Sequence, residues 1–429
     1  MNSTEKLYQH YLLSTGVSTD TRKIGTWNIF FALKGPNFNG NRFAAQALES
    51  GAALVVMDEA PEIADDRYFI VENVLKTLQE LATFHREKHA IPVLGLTGSN
   101  GKTTSKELIS AVLGKKYRVL ATKGNLNNHI GVPLTLLELE KNHEIAIIEM
   151  GANKQGEIRE LCEIARPTHG FITNIGKAHL EGMGGLEGVL KTKTELFQYL
   201  LERDGKVFIN TRQKVFSNMA KRFKDPVLFP EAGSFCHVGF EGADPFVKFN
   251  VDGQKTRQTN LIGAYNFDNL AAALCIGKYF GVSMEDSLDA VVDYKSSNMR
   301  SQLVEKRTNL ILLDAYNANP SSMEAALKAF DAMGGRKHKM VILGDMLELG
   351  DHAAEEHEKL GALLKGMDVD KICLTGTLIQ AALTQVPNAL YFPDPFSFRN
   401  WLQDSKLEDY LILIKGSRGM KLEGLLDFI

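Results

Sequence analysis

The sequence predicts an α/β protein of three domains: a small N-terminal α/β domain at 1–89, a central P-loop, mostly parallel α/β domain at 90–299, and a C-terminal Rossmann-like α/β domain at 300–429. A chain of 429 residues is too long for one ordinary hydrophobic core. Strand patterns alternate with helical patterns in the centre and again after residue 300, which is typical of parallel sheets covered by helices.

The N-terminal block has turns and strands of its own. Strands are predicted in WNIFFALKG and GAALVVMD, with a helical pattern around Phe43 to Leu48 between them. The stretch from Val74 to Lys88 has apolar residues at helical spacing, which favours a helix packed on a core. We interpret His85 and His89, near the end of this helix, as facing solvent.

The central block alternates strands and helices from Ile91 onwards. Strands are predicted at 91–96, 117–121, 145–149 and 170–173, with helices after Lys102 and Gly156. Parallel sheets bind ligands beyond the carboxyl ends of their strands, so the loops there are the expected ligand side. The segment from Asp225 to Gln258 predicts a β-rich edge of this domain.

The C-terminal block repeats the alternation with four apolar strands. They are NLILLDAY, KMVILGD, KICLTG and YLILIKG, separated by helical segments. We interpret this block as a second doubly wound unit of about 130 residues, which is near the common domain size.

Composition limits the class of partner. The 49 basic and 52 acidic residues give a net charge of −3 without a long basic run, which argues against nucleic acid or an anionic membrane and favours a small-molecule substrate. The four scattered cysteines suit reduced, buried thiols in a cytoplasm: Cys162, Cys236, Cys275 and Cys373. With neither a signal-peptide pattern nor an apolar span, the expected location is cytoplasmic, without membrane insertion.

The run GLTGSNGKTT at 95–104 follows an apolar strand and opens a helix, which predicts a phosphate site. Glycines allow a tight turn whose N–H groups point at an anion, while Lys102 can reach terminal phosphates and Thr103 can bind Mg²⁺. The spacing varies from GxxxxGK[ST], since position 96 is Leu96. The alternative is a plain strand-to-helix turn, which does not require Lys-Thr-Thr. The expected ATP-binding residues of the loop are Gly98, Ser99, Asn100, Gly101, Lys102, Thr103 and Thr104.

Other residues in the central block are candidates for the same chemistry. Glu149 ends the strand EIAIIEM, where a carboxylate could bind Mg²⁺; the alternative is a solvated acid at a strand end. His179 follows Asn174 by five residues and is either a metal ligand or a loop histidine. By spacing alone, Lys193 in KTKTELF is a surface lysine on an amphipathic helix.

Three polar clusters follow three C-terminal strands and predict a ligand face opposed to the ATP site. They are Asp314 with the loop 316–320, Asp345 with Glu348, and the group Lys415, Ser417 and Arg418. The alternative is that they are only loops with helix caps, which accounts well for Ser321 and Ser322 but poorly for the rest.

A set of motifs covers almost the whole chain: GLTGSNGKTT, GNLNNHIGVPLTLL, IIEMG, ITNIGKAHLEGMG, LKTKTELF, GAYNFDNLAAA, DAYNANPSSM, GDMLELG and LIKGSRGM. Their combination resembles the Mur ligases, the ATP-dependent amide-bond-forming enzymes of peptidoglycan synthesis. The resemblance implies a ligase that joins D-alanyl-D-alanine to UDP-N-acetylmuramoyl-tripeptide through an acyl phosphate. YNANPSSM and GDMLELG look like that member of the family, and the Asp-Asn-Pro-Arg motif of the third-amino-acid ligase is lacking.

The resemblance also implies roles for residues. The block STDTRKIGTWNIFFALKG is similar to a UDP-sugar-binding domain, and the central and C-terminal domains would bind ATP and the dipeptide. The implied UDP-sugar contacts are Thr19, Asp20, Thr21 and Arg22. The other implied substrate contacts are Asn127, Asn128, Tyr316, Asn317, Asn319, Asp345, Lys415, Ser417 and Arg418.

For the cofactors, the resemblance implies ATP, Mg²⁺ and a CO₂-derived carbamate on Lys193. The implied metal ligands are Thr103, Glu149, His179 and the carbamate of Lys193. Asn266 and Asn269 would approach the adenine, and Arg300 and Asp314 the ribose or phosphates. The chain departs from the family pattern at Tyr265, where many relatives have histidine.

The expected protein is a cytoplasmic monomer that serves cell wall biogenesis, cell shape and cell division. Alternatives are a third-amino-acid Mur ligase, a folylpolyglutamate synthase-like ligase, which would not require the UDP-binding block, and a non-catalytic nucleotide sensor, which need not keep a metal set. The sequence leaves open whether the third peptide residue is diaminopimelate or lysine.

Overall fold

The computed structural model describes residues 3–61, 63–178 and 180–429, so the predicted ligand His179 lies outside the described residues. An α/β sheet system occurs in each third of the chain, which confirms the predicted three-part α/β architecture. The domain boundaries at 89/90 and 299/300 stay predictions.

The N-terminal domain has a parallel sheet in the order β1-β2-β5-β6. Its strands are β1 (Val17–Ser18), β2 (Ile29–Phe31), β3 (Lys34–Gly35), β4 (Phe38–Asn39), β5 (Leu54–Met57) and β6 (Tyr68–Ile70), and its helices are α1 (Ser3–Leu13), α2 (Ala44–Glu49) and α3 (Val74–Glu87). Successive strand side chains point to opposite faces. Ile29 and Phe31 therefore join the core under α1 and α3, while Phe30 packs with Ala47 of α2.

The central domain has a six-stranded parallel sheet in the order β12-β11-β10-β7-β9-β8. Its strands are β7 (Val93–Thr97), β8 (Val119–Ala121), β9 (Ile145–Glu149), β10 (His169–Ile172), β11 (Lys206–Asn210) and β12 (Val227–Phe229). Its helices are α4 (Lys102–Leu113), α5 (Gly131–Leu136), α6 (Glu157–Ala165), α7 (Leu180–Met183), α8 (Gly185–Leu201), α9 (Ser217–Ala220), α10 (Asn266–Tyr279) and α11 (Met284–Asp293). Because β7 lies between β9 and β10, the loops after these three strands meet at one edge.

The predicted β-rich edge is largely a sheet of its own. Only β12 extends the parallel sheet, whereas β13 (Val238–Ala243), β14 (Phe246–Val251) and β15 (Arg257–Ile262) form a separate antiparallel sheet. The burial of β14 alternates with period two, because one face packs on the core that includes α10 and the other is more exposed.

The C-terminal domain has a sheet in the order β16-β17-β21-β18-β19-β20, in which only the edge strand β16 is antiparallel. Its strands are β16 (Gln302–Lys306), β17 (Asn309–Asp314), β18 (His338–Gly344), β19 (Lys371–Thr375), β20 (Leu390–Phe392) and β21 (Tyr410–Lys415). Its helices are α12 (Pro320–Asp331), α13 (Ala353–Lys365) and α14 (Pro395–Asp404). The carboxyl ends of β17 and β21, which are neighbours, face the central domain's phosphate loop.

The interpretation of His85 as a solvent-facing residue is wrong. Its side chain is 5% exposed, and its Nδ1 lies 3.2 Å from Oη of Tyr8 and its Nε2 2.9 Å from the main-chain oxygen of Leu139. Burial lowers the pKa of His85 to about 4. The ring thus joins α1 and α3 to the segment after α5, a contact between distant residues that helical spacing alone does not reveal.

All four cysteines are buried and free, as the sequence predicts. In the described part of the chain, no helix combines the length and apolar character that a bilayer crossing requires.

Candidate active site

The phosphate loop connects β7 to α4 and contains two glycines whose φ angles are positive. Gly98 has φ +143° and Gly101 has φ +78°. A Cβ atom at Gly98 would lie 1.9 Å from Oγ1 of Thr173, and one at Gly101 would lie 2.6 Å from Oδ1 of Asn269. Only glycine fits both positions, so the sequence determines the path of this loop.

Neighbouring loops hold the phosphate loop in place. The Asn100 N–H donates to Oδ1 of Asn174 over 3.0 Å, and the Thr173 hydroxyl donates to the Asn100 carbonyl over 2.6 Å. The Lys102 ammonium donates to the Gly98 carbonyl over 2.7 Å. Desolvation lowers the pKa of Lys102 to about 8, although nearby Glu149 opposes this shift. A terminal phosphate would supply the negative charge that this desolvated cation lacks in its own loop.

Glu149 is the buried acid of the site, with 1% of its surface exposed. The Thr103 hydroxyl donates to its Oε2 over 3.0 Å, the Asn127 amide donates to its Oε1 over 2.9 Å, and the Lys106 ammonium lies 3.6 Å from Oε2. This excludes a solvated acid at a strand end, because a buried carboxylate needs such partners.

The donor set at Glu149 fits a hard divalent cation, because carboxylate and hydroxyl oxygens are adjacent there. Among the residues that the structure describes, no cluster of three or more His, Cys, Asp and Glu side chains could hold a metal. Mg²⁺ at Glu149 and Thr103 would therefore take its remaining ligands from phosphate or water oxygens, or from residues that the structure does not describe, such as His179.

The interpretation of Lys193 as a surface lysine is wrong. Its side chain is 1% exposed, and its ammonium donates to the Ala152 carbonyl over 3.3 Å. Desolvation, together with the nearby Lys102 cation, lowers the pKa of Lys193 to about 7. Lys193 lies on the side of α8 that packs against the core, whereas Lys191, two residues earlier, is exposed.

Two asparagines of α10 border the phosphate loop. The Asn269 Oδ1 accepts from Oγ of Ser105 over 2.8 Å, and its Nδ2 donates to Oδ1 of Asn266 over 2.9 Å. The Asn266 amide in turn donates to the Ile262 carbonyl over 2.8 Å. These bonds fix both side chains, and their predicted contact with an adenine stays a prediction.

The C-terminal domain brings an ion pair to the same place. Lys415 is 1% exposed and its ammonium lies 2.6 Å from Oδ2 of Asp314. The Arg300 guanidinium stacks 3.8 Å from the ring centroid of Tyr316. Asp314 and Lys415 end the neighbouring strands β17 and β21, so the strand ends place this ion pair, as the sequence predicts. Arg300 reaches the same place from the segment before β16.

Three further contacts, from Asn319 and Lys177, join the central and C-terminal domains. The Asn319 Nδ2 donates to Oδ1 of Asn100 over 2.7 Å. The Lys177 N–H donates to Oγ of Ser321 over 3.1 Å, and its ammonium lies 2.7 Å from Oε1 of Glu356.

A cavity of about 640 Å³ lies between the two domains. The predicted residues that line it are Ser99, Asn100, Gly101, Lys102, Thr103, Thr104, Asn127, Asn128, Glu149, Asn266, Asn269, Arg300, Asp314, Tyr316, Asn317, Asn319 and Lys415. It therefore unites most of the predicted ATP and C-terminal residues in one site. Gly98 and Lys193 do not line it, although the Lys193 ammonium contacts the carbonyl of Ala152, which does.

The expected ligand contacts of Asp345 and Ser417 are not supported by their surroundings. Asp345 is 4% exposed, and its carboxylate accepts the N–H groups of Thr377 and Ile379 over 3.1 and 2.8 Å. The Ser417 hydroxyl accepts the Leu347 N–H over 2.9 Å. Both side chains fasten strand-end loops to one another and do not line the cavity. Arg418 is also outside it, paired with Glu423.

The predicted UDP-sugar residues lie elsewhere. Asp20 caps a 3₁₀ helix, Thr21–Lys23, and its carboxylate pairs with the exposed Arg22 guanidinium over 2.8 Å. These hydrogen bonds lower the pKa of Asp20 to about 2. Thr19 and Asp20 line a separate cleft of about 1520 Å³ between the N-terminal and central domains. Contact of these four residues with a UDP-sugar stays a prediction.

Sequence reasoning missed several polar residues of the site. Lys106 lies one helical turn after Thr103 on α4, so helical spacing could have placed it beside Glu149. Gln213 and Ser301 line the cavity without belonging to a recognisable pattern. Asp268 also lines it and lies within the motif GAYNFDNLAAA, which could have marked it as a site residue.

Comparisons with known proteins agree with this architecture. Family models match in succession: "Mur ligase family, catalytic domain" at residues 14–94, "Mur ligase middle domain" at 96–277 and "Mur ligase, glutamate ligase domain" at 299–418.

Relatives from several bacteria carry the name UDP-N-acetylmuramoyl-tripeptide–D-alanyl-D-alanine ligase. The one from Bacillus subtilis is 36% identical over 95% of this chain and 91% of its own length. The one from Escherichia coli is 33% identical over 95% of this chain and 92% of its own length.

Solved structures are similar over the full fold. A crystal structure of MurF from Acinetobacter baumannii has a TM-score of 0.86 at 32% identity, covering 96% of this chain and 92% of that one. MurF ligase from Thermotoga maritima in complex with ADP has a TM-score of 0.85 at 27% identity, covering 97% of each chain.

Proposed function

The chain belongs to the Mur ligase family, and from that premise we propose that it is an ATP-dependent ligase that joins D-alanyl-D-alanine to UDP-N-acetylmuramoyl-tripeptide in peptidoglycan synthesis. One observation carries most of the proposal. A phosphate loop, a buried Glu149 and the Lys415–Asp314 pair of another domain all meet at a single cavity. A cavity between two domains suits a reaction that brings together a nucleotide and two further substrates.

The reaction begins with transfer of the ATP terminal phosphoryl group to the substrate's terminal carboxylate, which releases ADP and forms an acyl phosphate. The phosphate-loop N–H groups and the Lys102 ammonium would hold the transferred group and offset its charge. Lys102 is already desolvated and needs little rearrangement, since only loop carbonyls must give way to phosphate oxygens.

In the second step, the amine of D-alanyl-D-alanine attacks the acyl carbon. An amide bond forms, the bond to the phosphate oxygen breaks, inorganic phosphate leaves, and the amine loses a proton to solvent. Lys415 and Arg300 line the same cavity as the phosphate loop, where they can orient anionic substrate groups. The contacts of Asn319 and Lys177 between domains would exclude water from the acyl phosphate.

Mg²⁺ belongs to the proposal, with Thr103 and Glu149 as ligands from the described residues. When bound, it would neutralise phosphate charge and align the phosphoryl group. The neighbouring Lys106 and Asn127 orient the Glu149 carboxylate for this task.

A carbamate on Lys193 also belongs to the proposal. CO₂ adds to an amine only in its neutral form: the nitrogen–carbon bond forms and one amine proton leaves. Since the pKa of Lys193 is lowered to about 7, a large fraction of the amine is neutral at physiological pH. Its hydrogen bond to the Ala152 carbonyl, among the described residues, is long at 3.3 Å, so little has to be broken for the amine to react.

The test uses the purified full chain with ATP, Mg²⁺ and UDP-N-acetylmuramoyl-tripeptide, with and without D-alanyl-D-alanine. We expect phosphate release to depend on the dipeptide, with a UDP-pentapeptide product identified by mass spectrometry. Supplying the tripeptide with diaminopimelate or with lysine determines the preferred third residue.

Ligation of a free amino acid to a UDP-dipeptide, or of glutamate to a folate, would replace the proposal with one of the related ligases. Nucleotide binding without turnover on any of these substrates would favour a sensor. A cytoplasmic location is a further part of the proposal, because ATP is the proposed phosphoryl donor. The monomeric state expected from the sequence also belongs to the proposal.

A further inference from the structure

The segment that joins the central and C-terminal domains has an unusual backbone. Asn298, Met299 and Ser301 have φ values of +64°, +57° and +47°. Such left-handed conformations are disfavoured for residues with a Cβ and persist where surrounding contacts impose them. Since Arg300 lies within this linker, at 294–301, the same contacts set the direction of a cavity-lining side chain.

One end of the linker is attached to the helix of the phosphate loop. The Tyr294 hydroxyl donates to Oε2 of Glu107 over 2.5 Å, and the Asn298 amide donates to its Oε1 over 2.6 Å. Glu107 lies on α4, five residues after Lys102. These two hydrogen bonds therefore fix the start of the linker relative to the helix that follows the phosphate loop.

The other end is attached to Tyr265, which stands just before α10. Its Oη lies 2.6 Å from Oγ of Ser301. The ring packs over Gly263, where a Cβ atom would lie 2.5 Å from Cε1 of Tyr265 and 2.9 Å from Cβ of Ala329 on α12. Glycine at 263 thus allows the ring to lie between the central and C-terminal domains.

Ser301 connects Tyr265 to the residues of the C-terminal domain that line the cavity. Its N–H donates to Oδ1 of Asp314 over 3.1 Å, and the other Asp314 oxygen lies 2.6 Å from the Lys415 ammonium. Tyr265, Ser301, Asp314 and Lys415 all line the cavity that holds the phosphate loop. A connected series of hydrogen bonds therefore runs from the central domain into the C-terminal wall.

We propose that Tyr265 is a positioning residue whose hydroxyl, through Ser301, holds Asp314, Lys415 and Arg300 in register with the phosphate loop. This inference rests on the proposed function only in that ATP binds in the cavity. Without the hydroxyl, Ser301 loses its partner and the linker can leave its left-handed conformation. Asp314 and Arg300 would then be misaligned relative to the bound nucleotide, while the distant cleft beside Thr19 and Asp20 would be unaffected.

The test compares Tyr265→Phe with Tyr117→Phe. Tyr117 is a matched control, because its hydroxyl also makes a 2.6 Å hydrogen bond, to the Phe280 carbonyl, away from the cavity. The dissociation constant of a non-hydrolysable ATP analogue is measured by calorimetry, together with kcat and the KM for each substrate. We expect Tyr265→Phe to weaken nucleotide binding about three- to tenfold, which is the usual worth of a neutral hydrogen bond. Tyr117→Phe should bind like the wild type.

Ser301→Ala and the double variant supply a readout that general destabilisation would not produce. Ser301→Ala should match Tyr265→Phe, and the double variant should be no worse than either, because both changes break one connection. Additive losses would overturn the proposal, as would wild-type nucleotide affinity in a folded Tyr265→Phe protein or an equal loss of UDP-tripeptide affinity.

The proposed function fails separately from this inference. If the wild type binds the ATP analogue but does not ligate D-alanyl-D-alanine, the activity is wrong while the role of Tyr265 is still decided by the affinities. If the wild type binds no nucleotide, both proposals are overturned.

Discussion

Asn319 of the C-terminal domain donates a hydrogen bond from its Nδ2 to Oδ1 of Asn100 in the phosphate loop, across 2.7 Å. The same side chain caps α12, because its Oδ1 accepts the Ser322 N–H over 2.9 Å. One asparagine therefore begins a helix in one domain and contacts the nucleotide loop of another. The two roles use different atoms and can be separated by substitution.

Asn319→Ser should separate them. Serine is also a good helix cap, so the free energy of unfolding should change by less than about 0.5 kcal/mol. Its side chain is too short, however, to reach Asn100. Loss of the contact between domains should lower kcat by up to about tenfold. Denaturant unfolding and steady-state kinetics measure the two effects. Asn319→Ala, which loses both the cap and the contact, is the control, and wild-type kcat in Asn319→Ser would show that the contact has no catalytic consequence.

Lys102→Ala should fold normally and lose turnover by roughly three orders of magnitude, because it removes the cation closest to the phosphate loop. Turnover is measured as phosphate release under saturating substrates. Lys115→Ala is the control, since Lys115 is an exposed lysine just beyond the same helix. Near-normal turnover in a folded Lys102→Ala protein would remove the phosphate-loop assignment.

Lys193→Arg should be nearly inactive, although it keeps a positive charge. Arginine stays protonated and cannot form the carbamate, and its cation would repel a metal where an anion should hold it. Lys191→Arg, a change of an exposed lysine on the same helix, should keep full activity. Mass spectrometry of native protein in bicarbonate should also find a labile 44 Da adduct (roughly one CO₂) on wild type but not on Lys193→Arg. Full activity of Lys193→Arg contradicts the carbamate.

Asp345→Ala should act through stability. The change leaves the buried N–H groups of Thr377 and Ile379 without an acceptor, which should cost about 2–4 kcal/mol of unfolding free energy. Chemical denaturation measures this cost. Asp351→Ala removes an exposed acid nearby and should change stability by less than about 0.5 kcal/mol. A stable Asp345→Ala protein that has lost only dipeptide affinity would restore Asp345 as a ligand contact.

Acid should weaken the fold through His85. Its pKa in the fold is about 4, so between pH 6.5 and 4 the unfolded chain binds a proton that the folded chain does not. The contribution of His85 to stability is complete above pH 6.5 and falls by roughly 3 kcal/mol towards pH 4.

His85→Gln should flatten this pH dependence, whereas His10→Gln, at an exposed histidine, should not. Denaturation curves at a series of pH values provide the measurement. Burial also lowers the pKa of His169 to about 4, so part of the slope should remain in His85→Gln. An unchanged slope would mean that His85 does not differ in protonation between the two states.

The sequence predicts those parts of the fold that depend on local patterns. The strand predicted at 145–149 has the observed bounds, Ile145–Glu149. Its four apolar residues and the terminal glutamate are all buried. The phosphate loop is equally local, since its glycines and Lys102 are consecutive in the chain. Placement of Asp314 beside Lys415 was also predictable, because neighbouring parallel strands bring their carboxyl ends to one edge.

Residues that depend on distant packing were not predictable in this way. Lys193 is interpreted as exposed because a lysine on an amphipathic helix usually is, and only the tertiary structure buries it. By sequence alone, Asp345 resembles a ligand-binding acid. In the structure its carboxylate oxygens instead accept hydrogen bonds from N–H groups of the loop after β19. The Tyr265–Ser301 contact joins residues 36 positions apart, with no pattern to relate them.

The hydrogen bonds that hold the phosphate loop to Thr173 and Asn174 are made entirely by atoms of the protein. Because no ligand atom takes part in these bonds, we expect folding itself to order the loop, so that ATP binding does not cost the entropy that is lost when a flexible loop closes around a ligand. Nucleotide association should accordingly occur in a single kinetic phase whose rate is proportional to ATP concentration. Substitutions that loosen Asn174 should add a slow, concentration-independent phase.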